Sequence, residues 1–351
     1  MRTDEAWYNH YFHDDDLIVV FKERAFTAAT QPVETGGTHV CHDRDRPDRL
    51  LAWAEPLDAD RVWAIESAAG LGHLLAQQLI AAGERVVDVP PTLSARVRLL
   101  GSSNASKNDS NDAFATAIAG LRHCGLRPVG REGHTAILRL LADRHHDLSG
   151  LRTQAACRLH VMLRELSAGG ARLRITAAQG TEFLDRVDAN DPVSAERKRL
   201  AREHLADIRR LDADIAAVKI RIGDAVTASG TRLCELHGVG PVIAAIVLGQ
   251  VHDIARFRTR AQFANYNGTA PIEASSANKL RHRLNPRGNR QLNHAIHVIA
   301  VTQVGHDTPG RAYYLRRQAE GKTRKEALRA LKRRISDAVW RQLQTDARNT
   351  R

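Results

Sequence analysis

Apolar and polar positions along this chain of 351 residues are ordered unevenly. Up to about Ala54 neither a helical nor a strand period emerges. Asp14-Asp15-Asp16, the apolar Leu17 to Phe21 and the polar Thr30 to Asp48 succeed one another without repeat, so residues 1–54 read as an irregular segment. Order begins at Arg61-Val62-Trp63-Ala64-Ile65-Glu66, a short apolar run ending on a carboxylate. A helical pattern follows from about Leu71 to Ala82 and is closed by Gly83. Arg85 to Val89 then reads as a second strand, stopped by Pro90 and Pro91. Strand, helix and strand in alternation predict an α/β sheet with parallel pairing. Gly101 to Ser110 is a polar loop, and an Ala-rich helix over Asp112 to Leu121 completes a domain at residues 55–130.

Residues 131–233 carry helical spacing almost throughout, from Thr135 to Leu166 and again from Ser194 to Val226. In the second stretch Ile208, Ile215 and Ile222 recur every seven residues, with Leu211 and Val218 offset by three. That is the seam of a coiled coil or helical hairpin, and an internal antiparallel pair and a dimer interface satisfy it equally. The last part, residues 234–351, is expected to be mainly α-helical. It opens with Leu236-His237-Gly238-Val239-Gly240-Pro241-Val242 and an apolar helix to Leu248, a pattern similar to a helix-hairpin-helix turn. Gly238 and Gly240 would let the backbone approach a phosphate there, while an ordinary helix-helix turn fits the same residues.

Charge changes this picture. The chain has 52 Lys and Arg against 40 Asp and Glu, a net charge of +12. Lys279 to Arg351 alone hold 18 basic and 5 acidic residues, so the excess is a local surface suited to a polyanion. The four cysteines form no C-x-x-C pair, which argues against a disulfide framework and for a reducing, cytoplasmic setting. The longest apolar stretch, Val239 to Val251, contains Gly and Pro and is too short for a bilayer, so neither membrane insertion nor secretion is expected.

Three carboxylates stand out. Glu66 ends the first strand, and Asp109 and Asp112 lie three apart where a polar loop enters a helix, so that pair shares one helical face. Their oxygens are hard ligands suited to Mg2+ (or Mn2+), and two-metal phosphoryl transfer uses clusters of this kind. Asp109 is equally well placed to cap its helix. His39-x-Cys41-His42 has metal-ligand residue types but not zinc-knuckle spacing, and His294 with His297, on one helix face, read as structural.

Ala64-Ile65-Glu66-Ser67, Ala82-Gly83-Glu84-Arg85-Val86-Val87 and Lys107-Asn108-Asp109-Ser110-Asn111-Asp112-Ala113 together resemble the DEDD transposases of the IS110 family of bacterial insertion sequences, relatives of the Piv-type invertases. The resemblance continues through Leu236 to Pro241, Gly268-Thr269-Ala270-Pro271, Ser275-Ser276, Arg281-His282-Arg283-Leu284-Asn285, Gly288-Asn289-Arg290-Gln291-Leu292 and Arg311-Ala312-Tyr313-Tyr314, in family order. It implies an RNase H-like, RuvC-like α/β first domain whose acidic quartet binds divalent metal, with Glu66, Asp109 and Asp112 matching three of the four. The remaining family aspartate lies within an upstream apolar strand. Here its register falls on Asp16, which precedes an apolar run instead.

The same resemblance implies a serine that attacks a DNA phosphate and forms a covalent serine-DNA intermediate. Ser276 occupies the family position, although Ala277 replaces the usual following glycine, and Ser275 is the alternative. A serine hydroxyl needs activation and a cationic setting for such chemistry, which Lys279, Arg281 and Arg283 could supply. Arg287, Arg290 and the basic residues from Arg316 to Arg334 would contact phosphates, and Tyr313 and Tyr314 either stack on bases or pack in the core. A structured noncoding guide RNA and a homo-oligomer are implied as partners besides DNA. Two rivals stand beside this reading: a RuvC-like metal-dependent nuclease or junction resolvase, and an inactive DNA-binding remnant.

Overall fold

The computed structural model describes residues 18–22, 25–29, 47–55, 61–101, 109–123, 125–172, 175–273, 282–283, 285 and 288–349. The chain divides into two compact units, Met1–Glu132 and Gly133–Arg351.

The first unit comprises β1 (Ile18–Lys22), β2 (Ala25–Ala29), α1 (Pro47–Ala54), β3 (Val62–Glu66), α2 (His73–Ala81), β4 (Arg85–Val89), α3 (Pro91–Gly101), α4 (Asp109–Arg122) and β5 (Arg127–Pro128). The strands form one sheet in the order β2-β1-β3-β4-β5. The expected parallel pairing is present: Val62 lies opposite Arg85 and Glu66 opposite Val89. β1 also runs parallel to β3, whereas β2 and β5 are antiparallel edges. β1 and β2 fall within the segment whose pattern predicted no element. A strand with neighbours on both sides, like β1, reads as a short unbroken apolar run, and such a run carries no alternation to detect.

Alternation along β3 assigns the two faces of the sheet. Trp63 and Ile65, both fully buried, pack with Val86, Leu50 and Ala54 of α1, and Ala76 and Leu79 of α2. Ala64 and Val89 pack instead with Ala113, Ala117 and Leu121 of α4, backed by Leu93 and Val97 of α3. Glu84, in the turn after α2, ties the first face together. It accepts a hydrogen bond from Trp63 Nε1 at 2.7 Å and pairs with Arg61, whose Nη1 also donates to Ala54 O at 3.1 Å. Among the described residues no helix is long and apolar enough to cross a membrane.

The second unit contains α5 (His134–Leu166), α6 (Ala177–Arg186), α7 (Pro192–Ala228), α8 (Pro241–Val251), α9 (Arg260–Tyr266), β6 (Ile272–Glu273), β7 (His282–Arg283), α10 (Arg290–Gly305), α11 (Pro309–Ala319) and α12 (Arg324–Asn349). Pro192 at the start of α7 follows Asp191, whose carboxylate accepts from Val193 N and Ser194 N and so caps the helix. The heptad seam of α7 is satisfied internally: Ile208, Leu211, Val218 and Ile222 are buried in one core with Leu138, Leu148 and Leu159 of α5. Arg197 Nε meets Glu165 at 2.9 Å near one end and His134 Nε2 meets Ala225 O at 2.6 Å near the other, so the two helices run antiparallel. That core continues without interruption through Ala244 and Val247 of α8, Phe263 of α9, Ile296 and Ile299 of α10, and Leu331, Val339 and Leu343 of α12. The helical segment and the basic C-terminal part therefore fold on a shared interior.

Candidate active site

Glu66 closes β3, and Ser67 beyond it has a left-handed φ of 56°. Ser67 N donates to Val89 O at 3.0 Å, which fastens the strand end to β4. By the alternation of β3, Glu66 belongs to the face of Val62 and Ala64, the face covered by α4. α4 begins at Asp109, so Asp109 and Asp112 occupy its first turn. The side chains of both lie outside the described part of the structure, as does Asp16. Ala113 and Ala117 follow in α4 and are fully buried, small residues that bring the helix backbone close to the sheet. Among the described residues no three carboxylate, histidine or cysteine side chains form a group able to hold a metal. Asp88 belongs to the opposite face, opposite Ile65, and its Oδ1 is buried with no hydrogen-bond partner among the described residues. The isolated aspartate within the apolar run of β4 was its visible mark in the sequence.

Ser275, Ser276, Lys279, Arg281 and Arg287 lie outside the described residues. What is described is the pair of short strands on either side of residues 274–281: Ile272 pairs with Arg283 and Glu273 with His282, antiparallel. Both feet of this strand pair are tied down. Asn267 is fully buried, and its Nδ2 donates to Ser336 Oγ of α12 at 2.8 Å. Its Oδ1 accepts from Thr269 N at 3.1 Å and Thr269 Oγ1 at 2.7 Å, so both ends of the buried amide are engaged. At the other foot Asn289 N donates to Tyr266 O at 2.7 Å. Asn289 Nδ2 donates to Gln250 Oε1 at 2.7 Å, while its Oδ1 accepts from Leu292 N and caps α10. The feet meet at Gly268 and Gly288. A Cβ on Gly288 would lie 2.6 Å from the Gly268 backbone, too close for any side chain.

Beside this junction Gly268, Asn285, Gly288, Arg290, Asn293, His294 and His297 line a cavity of about 370 Å³. His294 and His297 thus share a face of α10, as their spacing indicates, and that face borders a cavity. Burial, then the neighbouring Lys332 charge, then His294, push the His297 imidazole below its usual pKa. Lys332 is lowered as well, first by burial and then by Arg329. Its Nζ donates to Asn293 Oδ1 at 2.7 Å, and Asn293 Nδ2 donates to Asn267 O at 2.7 Å, extending the network between the foot of the strand pair and α12.

Elsewhere on the basic surface Arg316 and Arg317 pair with Glu320, and Arg333 pairs with Asp337. Tyr313 sits between the guanidinium groups of Arg316 and Arg334, at 5.2 and 4.8 Å from its ring. It and Tyr314 also pack against the apolar core. Gly238 has φ 89°, and a Cβ there would lie 3.2 Å from Ile299 O, so close packing on α10 accounts for this glycine. A single 3-10 turn, Leu233–Glu235, precedes it, and Gly240 leads exposed into α8.

Residues 25–168 match the DEDD-type IS110 transposase domain, and residues 230–315 match the domain described as "Transposase IS116/IS110/IS902 family". The two matches together cover well over half of the chain, in the order that the motifs imply. The chain belongs to the IS110 family of transposases. This IS110-family chain is 25% identical to a protein of insertion element IS116 from Streptomyces clavuligerus, over 87% of this chain and 88% of the relative. It is 28% identical to a protein of insertion element IS900 from Mycobacterium paratuberculosis, over 81% of this chain and 83% of the relative. A protein of insertion element IS110 from Streptomyces coelicolor is 41% identical over a shorter stretch, 30% of this chain and 26% of the relative. The DEDD match includes Glu66, Asp109 and Asp112 and begins beyond Asp16.

Proposed function

We propose that this IS110-family transposase cuts and rejoins DNA through two chemistries carried on its two units. The parts would be an RNase H-like domain in the first unit, to whose sheet β1 and β2 also belong, and in the second a helical segment and a serine domain that share one core. In the first, Glu66, Asp109 and Asp112 hold Mg2+ or Mn2+, with Asp16 as the candidate fourth ligand. The observation that carries the reading is that Glu66 belongs to the face of the sheet covered by the helix that opens with Asp109. An all-oxygen donor set at a strand end and a helix start suits a hard divalent cation. When bound, such a cation supplies charge neutralisation for a phosphodiester in displacement.

In the second unit Ser276, or Ser275 beside it, provides the nucleophile from the segment between β6 and β7. Its Oγ forms a bond to phosphorus while the bond from phosphorus to one sugar oxygen breaks, and the hydroxyl proton passes to that leaving oxygen. Lys279, Arg281 and Arg283 would stabilise the charge that builds on the phosphate. The network through Asn267 and Asn289 supports this reading, because a segment that must present a nucleophile gains from rigid feet. Gly240, Arg287 and Arg290 join the proposed contacts with nucleic acid, and DNA, a noncoding guide RNA and further copies of the chain are the proposed partners.

The test is adduct trapping. Full-length protein is incubated with magnesium, the RNA transcribed from its element and DNA spanning the element ends, then resolved under denaturing conditions. A protein-DNA adduct is expected, lost in Ser276→Ala, retained in Ser275→Ala, and lost in Glu66→Gln. Magnesium-dependent cutting with no adduct would instead assign a nuclease, and binding without cutting a remnant.

A further inference from the structure

The cavity beside the feet of the strand pair has properties that a structural role for its histidines leaves unexplained. Arg290, His294 and His297 stand at i, i+4 and i+7 of α10 and so form one wall of it. Among the described residues none of these three side chains has a hydrogen-bond or ion-pair partner, whereas the asparagines around them are satisfied. Among the described residues no carboxylate lines the cavity. The half-buried Lys332 ammonium stands behind Asn293 and adds positive potential from the side of α12. Gly268 and Gly288 form part of the remaining wall, where their backbones meet too closely for a side chain on Gly288.

We propose that this cavity binds one phosphodiester group of a nucleic-acid strand, with Arg290 as its charged donor and His294 and His297 as imidazole donors. The proposal rests on the transposase reading and deepens it, because the cavity adjoins the feet of the strand pair that flanks Ser275 and Ser276. A guanidinium offers a fork of N–H groups matched to two phosphate oxygens, and the lysine behind Asn293 raises the potential from the side of α12. His297, held below its usual pKa by burial and then by the Lys332 charge, can donate one N–H without adding charge, so it contributes direction and the arginine contributes charge. A pocket of this kind holds the strand in register and reads no base.

The experiment measures binding without chemistry. Full-length protein is titrated in metal-free buffer into fluorescein-labelled DNA, single-stranded and duplex, of mixed sequence, and into RNA of the same sequence, over a series of salt concentrations. Arg290→Gln is expected to weaken binding on the order of tenfold and to flatten the salt dependence by about one phosphate contact, ~0.7 for single strands and ~0.9 for duplex. Arg290→Lys should restore the slope and recover only part of the affinity. Diethylpyrocarbonate labelling of His294 and His297, read by mass spectrometry, should fall when the strand is bound. Arg290 is exposed, so the substitution leaves the fold intact, and thermal unfolding checks this. A slope change confined to DNA assigns the site to the transposed strand, and one confined to RNA assigns it to the guide. An unchanged slope in Arg290→Gln overturns the proposal whatever the labelling. Absence of binding by the unaltered protein overturns the transposase reading beneath it.

Discussion

The two units position their candidate chemistry by different physical means. In the first, the face of the sheet next to Glu66 is covered by alanines: Ala64 meets Ala113 and Ala117, all fully buried. Small side chains shorten the distance from helix to sheet, so the start of α4 is set by what is absent from its surface. In the second, the core is built of large aliphatic residues from α5 to α12, and the feet of the strand pair are held by Asn267, Asn293, Ser336 and Lys332 inside it. There the location is set by hydrogen bonds that have one good geometry. Steric smallness fixes a spacing, while a satisfied polar network fixes an orientation as well.

Substitutions at the two junctions sharpen this contrast. The largest effect is expected at Asn267. Asn267→Ala leaves the Thr269 donors and Ser336 without their buried partner and should cost about 3 kcal/mol, read as a lowered urea midpoint with unchanged slope. If hydrogen bonding and not bulk is what matters, Asn267→Leu recovers little of that loss; full recovery by leucine would erase the distinction. Ala117→Leu is expected to cost less, about 1–3 kcal/mol, because the added methylenes must push α4 from the sheet. Its sharper readout is magnesium-dependent strand cleavage, which should fall by more than stability does, whereas Ala117→Gly should leave cleavage nearer its original rate.

The smallest effect concerns pH. His297 and His145 both have imidazoles lowered from 6.5, chiefly by burial and then by a nearby lysine, Lys332 and Lys219 respectively. The folded state therefore binds fewer protons than the unfolded one around and below that value. Their contribution is complete above the ordinary histidine range and is lost as pH falls through it toward the lowered values. The melting temperature should accordingly drop between about pH 7.5 and about pH 5, and the drop should shrink in His297→Asn. A melting temperature flat across that interval would remove burial as the cause.

Much of the fold was legible from local pattern. The β3-α2-β4 alternation, the closure at Gly83 and the helices of residues 135–166 and 194–226 all follow from periodicity and punctuation, which depend on neighbours in the chain. β1 escaped because an apolar run without alternation looks alike in several settings, and β2, a short edge strand rich in alanine, offers no alternation either. The heptads of α7 located a seam without naming its partner, since a, d spacing records that a face is covered and not by what. The spacing of His294 and His297 shows that they share a face of α10, and only packing shows that this face borders a cavity.

By itself the sequence determined the β3-α2-β4 alternation, the long helices, the local excess of positive charge and, through ordered motifs, the family. Each is a property of residues near one another in the chain or of their sum. Tertiary structure alone decided that α5 covers the seam of α7, that Glu66 belongs to the α4 side of its sheet, and that Gly268 and Gly288, far apart in pattern, touch beside a basic cavity. These depend on close packing between segments brought together across long loops, where a single ångström separates contact from clash, and no local periodicity encodes that distance.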